Sequence, residues 1–135
     1  MITIDFIKPN QNRYVTHGDW YERNGTLTVT ATDYGNTNGS FLVALHELCE
    51  AWLCREANIA EEDVSAWDLC HPEADEPGEL EGSPYRKQHE VAIQVEKIMC
   101  AALGVNWENH ERWVTESANE VERCLSIPKL TSQKD

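Results

Sequence analysis

Residues 41–54, FLVALHELCEAWLC, are apolar in almost every direction around a helix. The strongly polar exceptions are His46, Glu47 and Glu50, which fall within about a 100° sector at about 100° per residue. A helix apolar nearly all round is a buried one. The pattern predicts a helix from about Phe41 to Ala57, capped by Asn38 or Ser40 after the polar connector Asp33–Gly39. Upstream, Arg13–Val15 and Trp20–Tyr21, then Asn24-Gly25, then the period-two run Thr26–Thr32 predict two antiparallel strands around a turn.

Downstream, Ala60–Ala66 predicts a short helix or turn, and Asp68–Gly82 a long acidic loop broken by Pro72, Pro77, Gly78 and Gly82. Ser83-Pro84 supplies a cap and a first-turn proline for a helix running to Leu103, where Gly104 stops it. A last helix spans Trp107 to about Leu125 and ends before Pro128. The expected fold is α+β: a small antiparallel N-terminal hairpin packed against three main helices. It forms one domain over residues 1–127, with a frayed tail at 128–135.

Composition narrows the function. The 135 residues carry 24 acidic against 11 basic side chains, a formal net charge of −13. That excludes a phosphate-tracking nucleic-acid binder, which needs clustered Lys and Arg. No apolar run approaches the roughly 20 residues that cross a bilayer. The start MITIDFIKPN lacks the basic and long apolar regions of a signal peptide, so a cytoplasmic protein is expected. Cys49, Cys54, Cys70, Cys100 and Cys124 are odd in number and contain no CxxC pair, as in a reduced chain.

The chemistry sits on the apolar helix. Buried carboxylates and imidazoles are costly unless paired, hydrogen-bonded or bound to metal. His46 and Glu50, four apart, share one face and can reach one ion. Glu47 follows the first ligand, as the general base does in the HExxH helix of zinc peptidases. Here the second ligand position is Glu, which zinc also accepts. On the helix from Pro84, His89 lies within an apolar arc of Tyr85, Ala92, Ile93, Met99, Cys100 and Leu103. His89 therefore completes a His₂Glu zinc set, although another divalent ion fits the same donors. Glu96, two turns on, is expected to support a ligand or to pair with Arg86 or Arg55. Asp68 and His71, in the loop between the site helices, are alternative ligands or orienting groups. His17 and His110 read as surface residues.

The segments LVALHELCEAWLC, VSAWD, the Pro-Gly loop and PYRKQHEVAIQVE followed by LGVNW, with Gly18-Asp19-Trp20 and the hairpin, resemble small phage and prophage proteins. The resemblance covers most of the chain before the last helix. It implies a zincin-like architecture, a small sheet on the HExxE helix, with His46, Glu47, Glu50 and His89 as its polar motif residues. It also implies a host-cell cytoplasmic location.

The leading expectation is a zinc-dependent, metallopeptidase-like hydrolase that acts on peptide or protein, without nucleic-acid or membrane partners. Glu47–Glu50 also matches the ExxE of magnesium-dependent nucleotide pyrophosphatases resembling the MazG group. The ExxD that those proteins add is absent here, because Glu90 is followed by Ile93. A third reading is a non-catalytic acidic phage protein that binds a host factor.

Overall fold

The computed structural model describes residues 1–126, and the expected tail at 128–135 lies outside them. The fold is α+β, with three strands and four α-helices among these residues. Strand β2 (Gly18–Arg23) and strand β3 (Thr26–Thr32) form the expected antiparallel hairpin, pairing Trp20 with Val29. Its two-residue turn places Asn24 and Gly25 at φ of 52° and 78°. Both are left-handed, which is the turn whose twist matches that of the strands.

Strand β1 (Ile2–Ile7) was not among the predicted elements. It pairs parallel to β3, so the sheet order is β1-β3-β2 and the sheet is mixed, not a purely antiparallel hairpin. Its alternation ITIDFI has period two. Ile2, Ile4 and Phe6 nevertheless stay 44–48% exposed at the sheet edge, so weak burial accompanies the missed signal. Arg13–Val15 forms no strand. Its Arg13 reaches Asp19 on β2 through paired contacts of 2.7 and 2.8 Å.

Leu27, Val29 and Ala31 of β3, with Trp20 of β2, form the buried face on which helix α1 (Thr37–Glu56) packs. The helix begins before its apolar run. Asn36, not Asn38 or Ser40, is the cap, its side-chain oxygen accepting the Gly39 N–H at 3.0 Å. Val43, Ala44, Ala51 and Cys54 of α1 fill the core.

The short helix or turn expected at Ala60–Ala66 is helix α2 (Glu61–Cys70), which also takes Asp68, Leu69 and Cys70 from the predicted loop and joins the three main helices as a fourth. A 3₁₀ turn at Pro77–Glu79 is pinned to α2 by the Trp67 indole N–H on Pro77 O at 2.8 Å. Helix α3 (Arg86–Ala102) starts two residues after Pro84, because Ser83–Tyr85 form a turn instead of a cap. It packs antiparallel-fashion on α1 as that helix's principal neighbour, and Gly104 ends it at φ 72°. Helix α4 (Trp107–Ser126) buries His110, Ser117 and Val121 along one stripe. Its Trp113 indole donates to Tyr34 O at 3.0 Å, tying α4 to the approach to α1. No described helix is long and apolar enough to cross a membrane.

Candidate metal centre

Helix α1 turns its polar sector inward. His46, Glu47 and Glu50 are 5%, 8% and 4% exposed, whereas the apolar Phe41 and Trp52 of the same helix exceed 40%. The helix is thus not buried on all sides: the fold shields its charged residues in preference to some of its apolar ones. Helix α3 does the same, burying His89 and Glu96 while Val91 and Ile98 face solvent. Removing an ion from water costs several kcal/mol unless partners compensate, so this arrangement demands compensation.

Glu50 is the hub. Its Oε2 lies 3.2 Å from His46 Nε2 and 2.9 Å from His89 Nδ1, and its Oε1 accepts the Trp20 indole N–H at 3.1 Å. The two imidazoles meet edge-on with ring centres 4.9 Å apart. One ligand atom from each of His46, Glu50 and His89 lies within 4.8 Å of the others. Ligands about 2.0–2.1 Å from a tetrahedral zinc stand roughly 3.3 Å apart, close to the two spacings around Glu50.

Behind this triad runs a second tier. Glu96 accepts from His46 Nδ1 at 2.8 Å and from His110 Nε2 at 2.6 Å. Glu96 therefore pairs with histidines, not with Arg86 or Arg55, and His110 is buried at 2% exposure instead of lying on the surface. Position 110 falls on the α4 stripe with Ser117 and Val121, at spacings of seven and four. That periodicity is the signal that marks it as inward.

With Nδ1 donating to Glu96, a neutral His46 keeps a lone pair on Nε2, and that lone pair faces the Glu50 carboxylate. Two acceptors this close need a cation between them. A proton serves in the ion-free protein: bonds to Glu50 and Glu96 outweigh burial and lift the His46 imidazole well above its usual range. A divalent ion serves equally, and two imidazole nitrogens with one carboxylate are donors suited to zinc. The residues fit the metal by this convergence.

The charges agree in sign. Burial opposes ionisation of Glu50, yet hydrogen bonds from His46 and His89 hold its carboxyl at about 2. Glu96 is held at about 2 in the same way, by His110 and His46 against its burial. Glu47 differs. Burial and the neighbouring Glu50 charge push it well above the usual carboxylate range, and its Oε2 stands 3.7 Å from His46 Nε2. Gly18 of β2 backs it so tightly that a Cβ there would sit 2.9 Å from Glu47 Cγ. The hairpin thereby limits where the Glu47 side chain goes.

The triad opens on a cleft of about 530 Å³, walled by Tyr14–Gly18, the end of α2, the loop to α3, and α4. Eight carboxylates line it, with no Lys or Arg among the lining residues, so its field favours cations. His17 lines this cleft half-buried, its imidazole lowered to about 4 by burial, and is not a free surface group. Asp68 and His71 also line the cleft without joining the triad. Asp68 accepts from the Tyr85 hydroxyl and, at 3.5 Å, from that of Tyr14. His71 turns Nδ1 to its own helix, 2.7 Å from Trp67 O. Glu90, the partner an ExxD motif would use, is exposed and faces Arg86 at 3.6 Å. Comparison of the chain with known protein families, curated proteins and solved structures finds no match.

Proposed function

We propose that the protein is a zinc-dependent hydrolase of zincin type, with His46, Glu50 and His89 as ligands and Glu47 as general base. The observation that carries this reading is the convergence of two imidazole nitrogens on one buried carboxylate oxygen, with a further carboxylate, Glu47, beside them that makes no hydrogen bond to the triad. Bound zinc supplies Lewis acidity that makes water and a polarised carbonyl reactive near neutral pH.

The chain's own residues provide the rest. Trp20 and Glu96 fix the orientation of Glu50 and His46, as groups behind metal ligands do. Glu47, whose carboxyl is raised by burial, binds a proton more strongly than a solvated carboxylate and passes it to the leaving group. The likeness of the motif to HExxH peptidases supports peptide or protein as the substrate, and the resemblance to small phage proteins supports the host cytoplasm as the place of action.

One observation favours a non-catalytic alternative, a binding protein with a structural cluster. The same network closes without metal once His46 is protonated between Glu50 and Glu96. Glu47→Gln separates the two. In the zinc-loaded variant, retained metal with hydrolysis of a peptide library reduced at least about 100-fold is expected. Undiminished hydrolysis by that variant removes Glu47 from the mechanism, and a zinc-loaded wild type that hydrolyses nothing in the library favours the binding protein.

A further inference from the structure

His89 is 3% exposed, and its Nε2 is fully enclosed with no hydrogen-bond partner. An unmet buried polar atom costs about 1–3 kcal/mol. Its nearest polar neighbours are two carboxylates across the 3₁₀ turn, Glu76 Oε2 at 3.7 Å and Glu79 Oε1 at 3.8 Å. Both stand just beyond hydrogen-bond reach, since N–H···O bonds to carboxylates run about 2.7–2.9 Å.

The turn carrying them is fixed on both sides. Trp67 holds Pro77 O, and Gly78 lies flat on the imidazole, where a Cβ would come within 2.8 Å of His89 Cγ and 2.9 Å of Nδ1. Only glycine allows this approach. The backbone therefore sits at its closest packing, and the remaining gap of about 1 Å falls within the reach of side-chain rotation. Glu76 is better placed than Glu79: its side chain is 32% exposed against 56%, and it lines the cleft.

Without an ion, His89 Nδ1 donates to Glu50, and in the neutral ring Nε2 keeps a lone pair that the neighbouring carboxylates, themselves acceptors, leave unmet. An ion on Nδ1 removes that proton position and leaves the single ring proton on Nε2. The N–H so created has the Glu76 and Glu79 carboxylates as neighbours, and Glu76 is the more enclosed of the two. We propose that Glu76 is a positioning residue for the metal centre, accepting the His89 Nε2–H when the ion binds and so locking the third ligand's tautomer and ring orientation. It would do for His89 what Glu96 does for His46. This inference rests on the zinc reading above, and it ties that centre to the acidic segment between α2 and α3.

The test uses the full chain with zinc as the probe, in wild type, Glu76→Gln and Glu79→Gln. Zinc affinity is measured by titration calorimetry, and the His89 ring protons by nitrogen-15 NMR. Circular dichroism of the ion-free variants checks that each folds. Glu76→Gln is expected to weaken zinc by about 10–100-fold. It is also expected to speed solvent exchange of the His89 Nε2 proton, with Glu79→Gln close to wild type on both readouts. A Glu76→Gln protein that matches wild type on both overturns the assignment while leaving the zinc site intact. Loss of the His89 Nε2 proton signal on zinc loading also overturns it, because Nε2 would then be a ligand and not a donor. Wild type that binds no zinc rejects the underlying reading as well.

Discussion

Glu50 accepts from three side chains on three different elements: His46 on α1, His89 on α3 and Trp20 on β2. It thereby joins a sheet and two helices, and none of those partners is adjacent to it in sequence. His46 was legible as its partner, because four residues on a helix is one turn. His89 was legible as an imidazole on an otherwise apolar arc. Trp20 was not, since a tryptophan on a strand reads as core and its indole N–H carries no sequence signal. Glu96 acts one layer further out, and Glu96→Gln keeps its shape while weakening its hold on both His46 and His110. Zinc affinity of that variant, measured by competition with a chelator, is expected to fall about 10–100-fold. Unchanged affinity would mean that the His46 orientation is set by packing alone.

At the scale of the elements, the hydrophobic pattern located α1, α3, α4 and the hairpin, since each has a strong period and a punctuating turn or glycine. It missed β1, whose apolar side chains remain half-exposed on the edge of the sheet, and it ended α2 early because Asp68 resembles the start of the acidic loop. It also misread α1 in one respect. The apolar residues around His46 suggested a helix buried on every side, whereas the fold buries the polar sector and leaves Phe41 and Trp52 at the surface. A single sequence shows which residues differ from their neighbours but not which side faces inward. The start of α1 moved to Asn36 because its side chain can cap Gly39 while Thr37–Ser40 remain helical. Asn36→Ala is expected to lower unfolding stability by about 1 kcal/mol in urea titration. Zinc affinity should not change, because the cap lies more than two turns from His46. A loss of metal in this variant would show that the site depends on the whole helix end.

For the molecule as a whole, electrostatics set the behaviour of the ion-free form. Asp68 is pushed up to about 6, from an ordinary 3.8, by burial against the opposing hydrogen bond from Tyr85. The folded chain thus holds this proton more tightly than the unfolded chain. Protons favour the fold below about 4, and that contribution is lost as pH rises toward 6. Asp68→Asn keeps an acceptor for Tyr85 without the ionisation. Its unfolding free energy in chelator is expected to gain on wild type as pH rises from 4 to 6 and to run parallel above that. A constant difference across the range would contradict a raised Asp68.

Divalent metal acts on the same balance with the opposite emphasis. It adds positive charge to a cleft lined by eight carboxylates, and it stabilises the folded state by mass action, with the logarithm of its concentration relative to Kd. The most direct measurement of the central claim is the zinc content of untagged protein after dialysis, determined by elemental analysis, with His46→Ala as the control. One zinc per chain in wild type, lost in His46→Ala, is the expected result. No bound metal in wild type, or equal metal in both proteins, would contradict a centre built on His46, Glu50 and His89.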